Sequence, residues 1–251
     1  MQNKYFDSCV YPVCNNLDEI KNLSKIYKKK NQKALIQLTE DVKLQKYFYI
    51  IKNFDNLYPL IHISKKQLLS DQLKKIKNNK IKNIKIHPRF LNKKISEHFN
   101  YYKKIFSFCG KNKINIFFCT FSSWENKVLE TNDLNIIAKL SNLLKENKLI
   151  LMHGGGSKIL NYYEKFRFKE NVIIDLSYTI QHFRHTTLIK DILFCIKNLD
   201  SRIILGSDYP SKKIYEYHNV IKLLQKKITK KKLENIVFKN LNNLINNAYK
   251  K

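Results

Sequence analysis

Short apolar runs alternate with longer amphipathic stretches along this chain, regularly enough to be counted. Runs of β character are predicted at 5–10, 34–38, 58–63, 81–87, 114–120, 149–153, 172–177 and 203–208. The segments between them are long enough for crossover helices and show helical periodicity. Leu68, Leu73 and Ile76 form one apolar stripe, and Leu134, Ile137, Ala138, Leu140, Leu143 and Leu144 form another. A final helical segment, 231–249, carries Leu233, Ile236, Val237, Leu241, Leu244 and Ile245, expected to close an outer layer. Eight strands each followed by a helix predict an α/β fold, a (β/α)8 barrel in which residues 1–251 form a single domain. No linker, repeat or low-complexity block interrupts the pattern.

In such a barrel, chemistry gathers at the carboxyl ends of the strands, so the period-two alternation there selects candidate residues. Asp7, Cys9 and Tyr11 are expected to share a face at the end of the first strand, and His62 ends the third. Lys85 and His87 share a face on the fourth, Cys119 ends the fifth, and His153 the sixth. Asp175 and Ser177 end the seventh and Asp208 the eighth. Glycine marks two of these ends: of five glycines in 251 residues, three stand together at Gly154–Gly156 and a fourth, Gly206, precedes Ser207-Asp208.

Charge changes the picture less than its size suggests. The formal net charge is +28, yet the basic residues are mostly lysines scattered through helical segments, and Asn and Ile are also abundant, as AT-rich codons dictate. Solvated helix faces are therefore expected, and a nucleic-acid partner is not. The one dense stretch, Lys226-Lys227-Ile228-Thr229-Lys230-Lys231-Lys232, keeps that alternative open. No apolar run spans a bilayer and the first residues lack a signal-peptide core, so no membrane partner and a cytoplasmic location are expected. The five cysteines (9, 14, 109, 119 and 195) are odd in number and hold no Cys-x-x-Cys pair, which predicts reduced thiols.

Three strand-end motifs carry a resemblance. Ile84-Lys85-Ile86-His87-Pro88-Arg89-Phe90, Met152-His153-Gly154-Gly155-Gly156 and Leu205-Gly206-Ser207-Asp208-Tyr209-Pro210, in that order, resemble the fourth-, sixth- and eighth-strand motifs of the amidohydrolase-related superfamily, the branch that includes decarboxylases. The segment Glu234–Leu241 is similar to that family's closing helix. The resemblance implies hydrolysis, with decarboxylation as an alternative, of a small carboxylate-bearing metabolite. It also implies a divalent metal such as zinc, held by a first-strand His-x-His pair, a fifth-strand His and an eighth-strand Asp. This chain departs from the pattern: Cys9 and Tyr11 stand where the histidine pair would lie, and Cys119 where the fifth-strand histidine would.

Two readings stay open. In one, Cys9, Cys119, His153 and Asp208 form a thiolate-rich zinc site. In the other, the ligand set has been lost and small, weakly polar cysteines fill the mouth. Asp208 and His153 are the expected catalytic pair, activating water. Lys85, His87, Arg89, Ser177 and His182 are expected to contact substrate, Arg89 by bidentate pairing with an anion. Trp124 is a candidate pocket wall or loop anchor. The partner expected is a small-molecule substrate, the oligomeric state stays open with a homodimer included, and a catalytically inert barrel that binds a ligand or protein is the alternative function.

Overall fold

The computed structural model describes residues 4–12, 17–38, 50–121 and 133–249, and within them every predicted strand forms. The strands are β1 (Tyr5–Val10), β2 (Gln32–Leu38), β3 (Leu57–His62), β4 (Asn83–Ile86), β5 (Asn115–Cys119), β6 (Leu149–Met152), β7 (Val172–Asp175) and β8 (Ile203–Ile204). They make one parallel sheet in the order β1 to β8, with helices between them. The ends meet through a bridge between Val10 and Tyr209, with Ser8 N donating to Leu205 O at 3.3 Å and Tyr11 N to Tyr209 O at 2.8 Å. This is the (β/α)8 TIM barrel that the pattern predicts.

Strand alternation sorts the apolar residues into two layers. Ala34, Ile36, Ile84, Ile86, Ile116, Phe118, Leu149 and Leu151 face the helices, whereas Leu35, Leu60, Phe117, Ile150, Ile173 and Ile204 fill the barrel interior. The chain closes differently from expectation. Leu241, Leu244 and Ile245, on the helix Asn240–Tyr249, pack with the interior cluster rather than only with the outer layer. A π-helical turn at Asn235–Lys239 precedes that helix. Leu233, Ile236 and Val237 remain in the outer layer, as predicted. Leu68, expected in an apolar stripe, is 73% exposed because it caps the helix Leu69–Asn78, whereas Leu73 and Ile76 are buried.

One expectation about β1 is corrected. The register of β1 against β2 shifts between Asp7 and Val10, so strict alternation fails there. Cys9 joins the interior cluster with Phe6, while Asp7 turns toward the helix Leu17–Lys29 and accepts from Tyr27 Oη at 2.6 Å. Asp7 also accepts from Ser207 N at 2.8 Å and Cys9 N at 3.1 Å, latching the seam between first and last strands. Among the described residues no helix is long and apolar enough to cross a membrane. Trp124 and Cys14 lie outside the described residues.

Candidate active site

At the carboxyl ends of the strands a cavity of about 270 Å³ opens between Tyr11, His87, Arg89, Cys119, His153 and Asp208. Phe90, Phe121, Tyr178, Pro210 and Ser211 complete its wall. The mouth therefore gathers residues from β1, β4, β5, β6 and the turn after β8, as strand-end reasoning anticipates. The dense lysine stretch lies elsewhere: Ile228 and Lys230 border a separate depression with Lys4 and Tyr5, at the amino-terminal end of β1.

His153 reaches the mouth by an unusual route. Met152 points into the barrel, so alternation alone would send His153 outward. Its backbone instead adopts φ 66°, and Gly154, Gly155 and Gly156 follow with φ 52°, 76° and 62°. That left-handed run turns the imidazole back over the opening. Glycine is required at 155, where a Cβ would stand 2.1 Å from the Tyr162 ring. His153 Nδ1 lies 2.9 Å from the Ser177 carbonyl oxygen and 3.3 Å from Ser177 Oγ. Donation from Nδ1 to the carbonyl fixes the tautomer and leaves Nε2 for the other side.

Cys119, paired in register with Met152 just before His153, lines the same cavity as His153 and His87. Burial pushes the Cys119 thiol up, but the charge of His87 and the hydrogen bonds from His153 and His87 outweigh it and hold its pKa well below the usual range. Burial opposes charge on His153 as well. The hydrogen bond and charge of Cys119, reinforced by Asp208, raise its pKa to about 9. His87 stacks on Phe90 at 3.8 Å, and its Nδ1 has no hydrogen-bond partner among the described residues.

Behind this surface lies a polar network that sequence reasoning found only in part. Lys85 is 0% exposed and donates to Tyr11 Oη and, at 2.7 Å, to Gln37 Oε1. Gln37 Nε2 donates to Cys9 Sγ at 2.9 Å, and Cys9 Sγ donates to Asp208 Oδ1 at 3.0 Å. His62 Nε2 lies 3.0 Å from Gln37 Oε1. Burial, then the charges of Lys85 and His87, push the His62 pKa well down, so it stays neutral and donates to Gln37. Burial works against the Lys85 ammonium, but Tyr11, Cys9 and Cys119 around it hold its pKa above the usual value. Burial, then the Asp208 charge, hold the Cys9 thiol protonated.

The residues predicted to touch substrate separate into two groups. His87 and Arg89 line the cavity. Ser177 is fully buried and serves His153 instead, its N–H held by Asp175 Oδ1 at 2.5 Å. Lys85 reaches the cavity only through Tyr11, and exposed His182 stacks on Tyr178 at 5.0 Å outside the lining. Tyr178, Phe121 and Gln37 were not anticipated. The first two are ordinary loop aromatics in the sequence, whereas Gln37 has a signal: it is the one polar residue of the predicted run 34–38.

The donors do not fit the metal that the resemblance implies. Among the described residues no three His, Cys, Asp or Glu side chains are arranged to hold one ion. Cys9 is a protonated thiol that donates its proton to a hydrogen bond with Asp208 and accepts from Gln37, whereas a zinc ligand must be a thiolate. Tyr11 is occupied by Lys85, and that ammonium stands among Tyr11, Cys9 and Cys119, where a dication would be repelled. The mouth already contains its cation.

No protein family's sequence profile matches this chain, and no curated protein sequence is detectably similar to it. Solved structures are. An uncharacterised TIM-barrel protein from Bordetella bronchiseptica aligns over 98% of this chain and 100% of its own, with TM-score 0.77 and 14% identity. A TatD homologue from Escherichia coli aligns over 97% and 98%, with TM-score 0.69 and 12% identity. A probable 2-pyrone-4,6-dicarboxylic acid hydrolase from Acinetobacter baumannii, with citric acid bound, aligns over 98% and 100%, with TM-score 0.66 and 13% identity. At these identities the likeness is one of fold: the chain shares their TIM-barrel architecture.

Proposed function

We propose that this protein hydrolyses a small carboxylate-bearing ester, lactone or amide at the barrel mouth, without a metal ion. The observation that carries the reading is the convergence of His153, Cys119, Asp208, His87 and Arg89 on one cavity of about 270 Å³, room for a small metabolite. His153, oriented by the Ser177 carbonyl, gives its proton to the leaving group and recovers one from water. Asp208, its Oδ1 anchored by the Cys9 thiol, orients the attacking water and stabilises charge on His153. Tyr11 accepts from Lys85, so its own hydroxyl hydrogen is free to donate to oxygen charge developing in the cavity. Burial, despite Lys85, raises the Tyr11 pKa, which keeps the phenol a donor. Arg89 at the rim pairs with the substrate carboxylate. Likeness to a probable dicarboxylic acid hydrolase with citric acid bound supports that substrate class.

The test is proton release from a panel of small carboxylate-bearing esters, lactones and amides. Wild-type protein freed of metal by chelation is expected to turn over at least one member. Asp208→Asn and His153→Asn are expected to lower kcat by about 100-fold or more with unchanged unfolding midpoints. Saturable binding of the same compounds with no turnover by the wild type would instead support an inert binding barrel.

A further inference from the structure

We propose that Cys119 is a nucleophile that forms a thioester with the substrate, so that hydrolysis at this mouth proceeds in two displacements. The inference rests on the hydrolytic reading above and deepens it. Cys119 ends β5, pairs in register with Met152 immediately before His153, and lines the same cavity as His153, whose Nδ1 is fixed by the Ser177 carbonyl at 2.9 Å. Nucleophile, base and orienting group thus follow one another, the arrangement by which a cysteine and a histidine act together. A second imidazole, His87, lines the same cavity with its Nδ1 unpartnered among the described residues. Cys9, by contrast, points its proton at Asp208, and Cys109 and Cys195 lie on the buried faces of outer-layer helices, Phe99–Asn112 and Ile189–Asn198. Burial raises the pKa of Cys9, Cys109 and Cys195, whereas that of Cys119 is lowered by its two imidazoles despite burial.

The step balances without an added oxidant or reductant. The Cys119 proton resides on His153, and Sγ attacks the carbonyl carbon, forming a C–S bond as the carbonyl electron pair moves to oxygen beside Tyr11. Collapse breaks the bond to the alcohol or amine, which leaves with the proton from His153. Solvent water, oriented by Asp208, then adds to the thioester and gives its proton to His153. The C–S bond breaks, releasing the carboxylic acid and restoring the thiolate beside the protonated histidine.

Alkylation examines the thiol independently of any substrate. Iodoacetamide at pH 6.5, with peptide mass mapping, is expected to modify Cys119 at least about tenfold faster than it modifies glutathione, with Cys9, Cys109 and Cys195 unmodified. His153→Asn is expected to remove that advantage. Labelling of Cys119 no faster than glutathione overturns the proposal. The second arm uses the mono-p-nitrophenyl ester of succinic acid, with the panel of esters and lactones as further probes. An acyl adduct on the Cys119 peptide in acid-quenched samples is expected, together with loss of at least about 100-fold in turnover for both Cys119→Ala and Cys119→Ser. Wild-type turnover by folded Cys119→Ala alongside inactive Asp208→Asn removes the nucleophile and leaves the hydrolase reading standing. If the wild type hydrolyses none of the probes, the thioester proposal falls with that reading, whatever the alkylation rate.

Discussion

Cys9 Sγ lies 3.0 Å from Asp208 Oδ1, so a thiol of β1 meets a carboxylate beyond β8 across the seam where the barrel closes. The same sulfur accepts from Gln37 at 2.9 Å and thereby connects the seam to the buried Lys85 ammonium. Cys9→Ala removes both contacts and leaves the Gln37 amide unpaired in a dry interior. It is expected to cost about 1–3 kcal/mol, measured by denaturant unfolding. Cys9→Ser keeps a donor and an acceptor and is expected to lose less than half as much.

Zinc is expected to do nothing to this arrangement. A resident ion at a hundredfold excess over its dissociation constant would add about 2.7 kcal/mol and raise Tm by several degrees. With Cys9 protonated and an ammonium among the donors, equimolar zinc is expected to move the melting temperature by less than about 1 °C. Scanning calorimetry in zinc and in EDTA, with elemental analysis after desalting, makes the comparison.

Asp7 gives the fold a pH dependence that opposes the usual behaviour of salt-bridged carboxylates. Burial raises its pKa from 3.8 to about 6, against the hydrogen bonds from Tyr27, Ser207 and Cys9 that favour the anion. A raised carboxyl pKa means that the folded state binds the proton more tightly. The stabilisation is fully present below the unfolded value near 4 and is lost as pH rises through 6. The difference amounts to about 3 kcal/mol by pH 7. Asp7→Asn is expected to remove this slope and to be the more stable protein near neutrality. Asp175, also raised by burial, leaves a slope of the same sign in the variant. Urea unfolding at pH 4 to 7 measures both, and equal slopes in the two proteins would place the effect away from Asp7.

Most of the fold was legible because its signal is local. Each strand is a short apolar run whose burial follows from β-branched residues in sequence, and all eight were found within a few residues of their bounds. The site was legible where alternation holds, as at Lys85, His87 and Cys119 on β4 and β5. It failed where the backbone departs from a regular strand. The register shift in β1 sends Asp7 outward, whereas His153 stands at the mouth as expected, brought there by its left-handed φ rather than by alternation. The glycines after His153 hint at that turn without giving its direction. Ser177 and Lys85 were assigned to substrate because sequence shows that a residue is near the mouth, not whether another side chain stands in front of it.

The barrel floor offers a prediction that separates the two layers. Leu241 is fully buried with Leu244 and Ile245 against the interior cluster, so Leu241→Ala opens a cavity beneath Ile150 and Ile173. A loss of about 2–5 kcal/mol is expected, while Leu68→Ala, on an exposed side chain, is expected to change stability by less than about 0.5 kcal/mol. Equilibrium unfolding of the two variants tests the placement. Equal effects would mean that Leu241 is not buried against the barrel at all.

The turn after β6 is held by Gly155, and replacing it should disturb stability and site together. Gly155 N donates to Thr120 Oγ1 at 2.9 Å, and Thr120 Oγ1 donates to Met152 O at 2.5 Å, which ties the turn to the ends of β5 and β6. An alanine methyl would stand 2.1 Å from the buried Tyr162 ring at φ 76°, so the ring or the turn must move. Overpacking and left-handed strain together are expected to cost about 2–4 kcal/mol. Adding Tyr162→Leu relieves the overlap but leaves the backbone strain of about 1–2 kcal/mol, so recovery should be partial. His153 lies two residues upstream, and its imidazole resonances are expected to shift in Gly155→Ala and return toward wild type in the double variant. Unchanged resonances with the full stability loss would show that the turn yields on its Tyr162 side and that the histidine is held by Ser177 alone.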